Sequence, residues 1–254
     1  MESQTKQCQN CKNQFTIEPE DFQFYAELQR TYFQQMHSYL KSLGLQVPIA
    51  GSNLAHLTLH GSDLTTNASL DFIDRHAYWD HPKGGFGDLV TFENRSIIEA
   101  VETSNPIIKL SRQRVTNMPY VISEWNIPWP NEYRSAGLLL TAAYASFQDW
   151  DGLVMFDYQG NLLANEITLN FDVSMMPEMA AQFPVAARLF TRRDVAPARA
   201  RYAYPILPSP NIPLGLAFVH GIDRLLTGSG TSTSVASTGP WGSEAGWRRH
   251  FQGG

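Results

Sequence analysis

The sequence predicts an α/β fold with a parallel sheet, because short strand-like runs alternate with helical segments along most of its 254 residues. The clearest run covers residues 120–123 and leads without a polar break into Glu124 and Trp125. A short apolar run ahead of a helical segment is typical of a strand buried on both faces, as in a parallel sheet. Glu124 is therefore expected at the carboxyl end of a strand, where α/β barrels keep their chemistry.

The composition fits a globular protein with a sizeable core, since 43% of the residues are hydrophobic and 12% are aromatic. The net charge of -5 and the lack of a Lys/Arg cluster argue against nucleic acid as a partner. The sequence shows no apolar signal-peptide stretch at its start and no apolar run long enough to span a membrane. We therefore expect no membrane partner and a cytoplasmic location.

The first predicted element is a helix over residues 21–43, with Asp21 as its cap and Gly44 at its end. Its apolar and aromatic residues recur at steps of three and four, which is the helical period. These residues are Tyr25, Leu28, Tyr32, Met36, Tyr39, Leu40 and Leu43. A short strand is predicted next at 47–50, and it leads to Asn53.

The remaining elements continue the alternation of strand and helix. Strands are predicted at 70–73, 120–123 and 152–156, because each is a short apolar run. Helices are predicted over 96–102 and from about Glu132 to Trp150. This order predicts βαβ units, whose strands lie parallel to one another.

Polar and aromatic side chains fall at or just after the predicted carboxyl end of every strand. They are Asn53, His76, Tyr78, Glu124, Trp125, Asp157 and Tyr158. Each has an ordinary structural interpretation on its own, because a buried His is usually structural and a Trp usually packs in a core. Together they are expected on one edge of the sheet, since the carboxyl ends of parallel strands share that edge. A carboxylate among Tyr, His and Trp side chains suits chemistry on glycosidic bonds.

The segments 122–126, 76–79 and 150–152 resemble the second half of a clan A glycoside hydrolase, the group of cellulase-like and β-galactosidase-like (β/α)8 TIM barrels. The similarity covers about residues 21–204. It implies strands five to eight of such a barrel, with residues 172–194 as the last barrel helix. It also implies hydrolysis of β-linked oligo- or polysaccharides by a retaining mechanism, and this family is often secreted.

The resemblance also implies roles for individual residues. Glu124, at the end of strand seven, takes the place of the nucleophile, and Tyr78 takes the place of the Tyr that hydrogen-bonds it. The expected substrate-binding residues are Asn53, His76, Trp79, Trp125, Trp129, Asp157 and Tyr158. The Trp side chains are expected to offer flat faces for sugar rings.

The chain departs from this family at the second catalytic carboxylate, the general acid/base that ends strand four in an Asn-Glu pair. The Asn-Glu pairs of this sequence, 131–132 and 165–166, both follow Glu124. Residues 1–20 are too few for strands one to four, because one βα unit needs about 30 residues. We therefore expect a partial barrel with impaired activity, whose open edges two copies could close as a homodimer. A catalytically inactive remnant that only binds carbohydrate is the alternative.

Cys8 and Cys11 form a C-x-x-C pair that resembles the first half of a small bacterial zinc-ribbon module. A closed structural zinc site needs four ligands, and no second C-x-x-C follows. Zinc at this pair is the one cofactor that the sequence suggests, and a zinc-dependent interaction module is a third function hypothesis.

The predicted organisation has four parts. Residues 1–20 form the incomplete zinc-ribbon segment, and residues 21–194 form the half barrel. Residues 195–225 are expected to begin a short β-rich module, and residues 226–254 are a low-complexity flexible tail.

Overall fold

A computed structural model of the chain describes residues 19–53, 60–84, 90–99, 105–163, 165–206 and 220–226. They form a mixed α/β structure with two small parallel sheets. The helices are α1 (Pro19–Ser42), α2 (His60–Asn67), α3 (Pro106–Ser111), α4 (Arg134–Phe147) and α5 (Pro177–Arg192), with a 3-10 turn at Val173–Met175. The strands are β1 (Ile73–Tyr78), β2 (Tyr120–Asn126), β3 (Gly152–Met155), β4 (Arg201–Pro205) and β5 (Gly221–Leu225).

The larger sheet has the order β1-β2-β3, and both neighbouring pairs are parallel. Helix α3 lies in the connection from β1 to β2, and α4 lies in the connection from β2 to β3. These are the βαβ units that the alternating sequence pattern predicts, and the predicted parallel sheet is confirmed. All three carboxyl ends therefore meet at the same edge of the sheet.

The central strand β2 carries one residue more than its neighbours. Arg75 pairs with Ile122, but the next residue of β1, His76, pairs with Glu124, so Ser123 is the additional residue. The register between β2 and β3 shifts over the same stretch. A bulge of this kind changes the face to which the following side chains point. Glu124 would otherwise share the buried face of Tyr120 and Ile122, because side chains alternate along a strand.

The hydrophobic core lies between the larger sheet and its helices. Ile73, Tyr120 and Ile122 are fully buried on this side of the sheet. The Tyr120 hydroxyl donates a hydrogen bond to the Leu110 carbonyl at 2.8 Å, and its ring packs edge-on against Trp150. Burial of the apolar surfaces of sheet and helices drives this packing.

Arg75 is a buried cation on the helix side of β1 and joins four chain segments. Its Nη2 lies 2.7 Å from Asp63 Oδ2, and its Nε donates to Gln113 Oε1 at 2.7 Å. Its Nη1 donates to the carbonyls of Ser52 and Asp74 at 2.9 and 2.7 Å. Each of its nitrogens has a partner, so the desolvation of the charge is compensated.

The bounds of two predicted strands need correction. The strand predicted at 70–73 begins only at Ile73 and continues to Tyr78, because the residues before it form the turn that ends α2. The amide of Leu70 bonds there to the carbonyl of Asn67 at 3.0 Å. His76 and Tyr78 therefore lie inside the strand rather than beyond it. Strand β2 likewise extends to Asn126 and contains Glu124 and Trp125.

The helix predicted at 96–102 is wrong over residues 96–99, which are coil and turn; residues 100–104 lie outside the described residues. The helix of this region is α3, which begins after Asn105. The Asn105 side chain accepts a hydrogen bond from the amide of Ile107 at 2.9 Å, and Pro106 occupies the first turn. Both features favour a helix start at this point.

The strand predicted at 47–50 does not form a regular ladder, although segment 47–53 runs beside β1. The amide of Asp71 bonds to the carbonyl of Ile49, and the amide of His76 bonds to the carbonyl of Asn53, both at 3.1 Å. Pro48 has no amide hydrogen to donate, which limits pairing here. Part of the stretch between this segment and β1 forms α2, for which the sequence pattern predicts no helix.

Strands β4 and β5 pair in parallel and are tied to the core of the chain. The amide of Arg224 donates to the carbonyl of Arg114 at 2.7 Å, and Asp223 pairs with the Arg114 side chain. Asp149 forms ion pairs with Arg193 and Arg201. The predicted tail beyond Leu226 lies outside the described residues.

Among the described residues, no helix is both long enough and apolar enough to cross a membrane.

Candidate active site

The candidate site is built on β1 and the bulge of β2. Asp74, His76 and Tyr78 alternate along β1, so their side chains share the face opposite the buried Arg75. Across from them, the bulge of β2 presents both Ser123 and Glu124 to that same face. Neighbouring parallel strands thus bring five polar side chains together.

Glu124 is held at both of its carboxylate oxygens. The hydroxyl of Tyr78 donates a hydrogen bond to Oε1. The Nδ1 atom of His76 lies 3.3 Å from Oε2. The side chains of Glu124 and His76 remain 29% and 23% exposed, so a ligand from solvent can reach the carboxylate. A carboxylate that is oriented and still accessible can act as a nucleophile or a base.

Tyr78 remains a hydrogen-bond donor at all ordinary pH values. Burial raises the pKa of its hydroxyl strongly, and the hydrogen bond and negative charge of Glu124 raise that pKa further. The charge of Asp157 acts in the same direction. A phenol in these surroundings keeps its proton and directs it to the carboxylate.

A second chain of hydrogen bonds orients His76 from the other side. The Oγ atom of Ser123 donates to Asp74 Oδ2 at 2.7 Å, and the Ser123 amide donates to Asp74 Oδ1 at 3.1 Å. Because the Ser123 hydroxyl proton is directed to Asp74, its oxygen accepts from His76 Nε2 at 2.8 Å. This assigns a proton to Nε2, and Nδ1 faces the Glu124 carboxylate.

Aromatic rings hold Tyr78 in place. Its ring centroid lies 4.8 Å from that of Phe171, 5.2 Å from that of His81 and 6.4 Å from that of Phe156. Phe156 and Phe171 also contact each other edge-on. The cluster restricts the Tyr78 ring, so that its hydroxyl points at Glu124.

Asp157 follows the end of β3 and is the second acidic group that acts on Tyr78. Burial raises the pKa of its carboxyl group, and the nearby charge of Asp172 raises it further. Its Oδ1 atom is buried and has no hydrogen-bond partner in the part of the chain that the structure describes. Both effects shift the protonation equilibrium of Asp157 towards the neutral acid, relative to an exposed Asp side chain.

The aromatic residues predicted to bind substrate differ in their exposure to solvent. Trp79 and Trp125 are only 4% and 5% exposed, so the sugar-stacking role expected for them does not fit where they lie. Trp79 packs with Ile97, Ile107 and Ile127, and its Nε1 donates to a backbone carbonyl. The burial of Trp125 follows from the bulge, which turns it to the helix side when it turns Glu124 away.

Trp129 and Tyr158 are the predicted aromatic residues that face solvent. Trp129 is 42% exposed, and its backbone is tied to Asn170 by two hydrogen bonds of 2.7 and 3.0 Å. Tyr158 is largely exposed after β3. Asn53, a predicted substrate-binding residue, contacts the site through its backbone carbonyl, which accepts a hydrogen bond from the amide of His76.

The two Asn-Glu pairs supply no carboxylate to Glu124. Asn131 is fully buried and donates to Asp80 and to the carbonyl of Arg95, while Glu132 is exposed. Glu166 is also exposed, in the loop before Phe171.

Within the described ranges, no group of three or more His, Cys, Asp and Glu side chains could hold a metal ion. Cys8 and Cys11 lie outside these ranges.

Asp74 and Ser123 are site residues that sequence reasoning missed. The alternation Asp74-His76-Tyr78 is a signal that could have identified Asp74, once the strand was extended past Ile73. The bulge that turns both Ser123 and Glu124 to the site has no signal in a single sequence.

Comparison with known proteins identifies no relative: no family model, no curated protein and no solved structure matches the chain.

Proposed function

We propose that the chain is a glycoside hydrolase-like protein that acts on β-linked oligo- or polysaccharides, with Glu124 as nucleophile. The observation that carries the proposal is the arrangement of Tyr78 and His76 on the two oxygens of the Glu124 carboxylate. The proposed fold is part of a (β/α)8 barrel, in which segment 47–53, β1, β2 and β3 correspond to strands five to eight. The resemblance of segments 76–79 and 122–126 to clan A enzymes supports the same assignment.

In the proposed retaining reaction, a Glu124 oxygen attacks the anomeric carbon and the bond from that carbon to the leaving-group oxygen breaks. A covalent glycosyl-enzyme ester results, which water then hydrolyses. Tyr78 and His76 orient the carboxylate for attack. The leaving oxygen needs a proton, and this transfer typically contributes roughly 10²–10⁴-fold to the rate.

Asp157 is the described carboxyl group best suited to supply that proton. Burial and the nearby charge of Asp172 raise the pKa of Asp157, and its buried Oδ1 atom has no hydrogen-bond partner among the described residues. It stands at the carboxyl end of β3, on the edge of the sheet that carries Glu124. We therefore assign the proton donor to Asp157 in place of the family's Asn-Glu carboxylate.

The test compares two substrate types, an alkyl β-glycoside and a dinitrophenyl β-glycoside with an activated leaving group. Glu124→Gln is expected to abolish turnover of both. Asp157→Asn is expected to lower kcat/KM, which reports the first step, by about 10²-fold or more for the alkyl glycoside and to leave kcat/KM for the activated glycoside nearly unchanged. Equal decreases of kcat/KM on both substrates would show that Asp157 is not the acid. Turnover of either substrate by Glu124→Gln would refute the proposed function itself.

The second candidate function is carbohydrate binding without turnover, as expected of an inactive remnant. Two observations favour it. The glutamates of the two Asn-Glu pairs are exposed and do not serve Glu124 as a general acid, and the exposed ring of Trp129 is available to a sugar face. Calorimetry with β-linked oligosaccharides separates the two functions. Binding that Trp129→Ala weakens, together with no hydrolysis of the activated glycoside, would assign this second function.

A further inference from the structure

Helix α1 exposes an apolar stripe along its length. The stripe consists of Tyr25, Leu28, Tyr32, Met36, Tyr39 and Leu43, whose exposed fractions range from 39% to 66%. Phe24 lies beside it and contacts Tyr25 edge-on at 5.4 Å between ring centroids. The residues of the stripe are six of the seven residues whose period predicts the helix, Leu40 being the seventh, and all six are exposed to solvent.

The helix contacts the rest of the chain with another, mostly polar side. Gln29 bonds to Asp63 and Thr66 of α2, and His37 lies 3.0 Å from Asp71. Lys41 also pairs with Asp71, at 3.0 Å. Residues 29, 33, 37 and 41 follow one another at steps of four, so these contacts form one line that is separate from the stripe. The amphipathic pattern of α1 is thus reversed relative to an ordinary surface helix.

The stripe is straight and uncharged. Its steps of three and four residues from Tyr25 to Leu43 match the helical repeat, so it runs parallel to the helix axis for about 27 Å. The residues along one border, Thr31, Gln35 and Ser42, are uncharged as well. No like charges on this border oppose contact with an identical surface.

The area of the stripe is that of a protein interface. With about 150–250 Å² for each aromatic side chain and somewhat less for Leu and Met, the stripe and Phe24 expose roughly 700 Å². The largest apolar patch on a typical monomer measures about 300–600 Å². A stable interface covers about 800 Å² on each partner. The area of this one helix face is therefore close to the area that one partner contributes to a stable interface.

We propose that the stripe of α1 is the contact surface for a second copy of this chain. A two-fold axis brings the same patch of both partners into contact, so one uncharged apolar surface per chain is sufficient to form the interface. We place the two-fold axis perpendicular to the helix, so that the two helices run antiparallel and their macrodipoles are aligned favourably. Tyr32 and Met36 lie at the middle of the stripe, near the two-fold axis, and Tyr25 of each copy lies towards Leu43 of the other. This proposal does not depend on the proposed function.

The test measures the mass of the full chain by light scattering or sedimentation over a range of concentrations. The wild type is expected to approach twice its 28.5 kDa mass. Tyr32→Glu and Leu28→Glu place a charge within the stripe and are expected to give monomers. Gln34→Glu is the matched control, since it adds the same charge to an exposed position of α1 away from the stripe, and it should remain dimeric.

Circular dichroism establishes whether each variant is folded before its mass is interpreted. A wild type that stays monomeric at every concentration would overturn the proposal, because a segment of the same chain or another partner would then have to cover the stripe. A dimer that survives both Tyr32→Glu and Leu28→Glu would also overturn it, since the contact would lie elsewhere.

Discussion

At the scale of single residues, the site depends on which atoms hold the Glu124 carboxylate. Tyr78 and His76 engage its two oxygens, and Asp74 orients His76 through Ser123. Hydrogen bonds to a charged group contribute more than neutral ones, about 1.5–3 kcal/mol. Removing these contacts one by one should therefore change reactivity at Glu124 in measurable steps.

Tyr78→Phe removes the hydroxyl that donates to Glu124 and keeps the ring that packs on Phe171. We expect the rate of covalent labelling of Glu124 by an activated fluoroglycoside to fall roughly 10- to 100-fold, with the fold unchanged. The measurement is time-resolved intact mass. Tyr133→Phe, at an exposed Tyr beyond β2, is the control and should label at the wild-type rate.

Ser123→Ala removes the oxygen between Asp74 and His76. The proton on His76 Nε2 then loses its acceptor, so the ring can change its tautomer or turn away from Glu124. We expect altered ¹⁵N shifts of the His76 ring nitrogens and a changed pH profile of labelling. Unchanged ring-nitrogen shifts in a folded Ser123→Ala variant would mean that Ser123 does not orient His76.

At the scale of elements, buried polar contacts hold segment 47–53 and helices α1 to α3 against β1. Arg75→Ala removes the cation that pairs with Asp63 and the donor that the carbonyls of Ser52 and Asp74 accept from. We expect the free energy of unfolding to fall by about 3–5 kcal/mol in denaturant titrations. The exposed Arg188→Ala of α5 is the matched control and should change stability by less than about 0.5 kcal/mol.

The attachment of α1 should depend on pH through Asp71. Burial alone would raise the pKa of Asp71, but Lys41, the Ile49 amide and His37 outweigh it and lower that pKa to about 2. Because the pKa of Asp71 in the folded state lies below the ordinary value of 3.8, the ionised carboxylate stabilises the folded state most fully at pH values above about 4. This stability is lost as the pH falls from about 4 towards about 2.

We expect hydrogen exchange in α1 to accelerate over that pH window, beyond its intrinsic pH dependence. In Asp71→Asn the additional acceleration should be missing, because the titrating group is gone. An α1 whose protection is the same in wild type and variant throughout the window would show that Asp71 does not hold the helix.

At the scale of the whole molecule, sequence patterns predict the parallel sheet because apolar runs and helical periods depend on local residues. The period of α1 is equally clear, but it does not tell which side of the helix faces the chain. The polar contacts of His37 and Lys41 with Asp71 decide that orientation. They join residues far apart in sequence, which a local pattern cannot show.

The sequence also predicts only part of the candidate site: it predicts which residues meet, but not the direction of the Glu124 side chain. Glu124, Tyr78 and His76 come together as the strand-end rule predicts, although they lie inside their strands. The direction of Glu124 depends on the additional residue of β2, and a bulge is a property of pairing between strands. Trp125 shows the effect of the bulge. Simple alternation along β2 would place its side chain on the face of the candidate site, whereas the bulge turns it into the core.

The central claim is that the bulge of β2 places Glu124 as an accessible, oriented nucleophile. The most direct test is intact-mass analysis after incubation with a panel of 2-fluoro glycosides, whose activated leaving groups need little help from an acid. We expect one adduct on the wild type and on Glu132→Gln, mapped to the peptide that contains Glu124, and none on Glu124→Gln. A folded wild type that forms no adduct with any member of the panel, or an adduct that persists in Glu124→Gln, would contradict the claim.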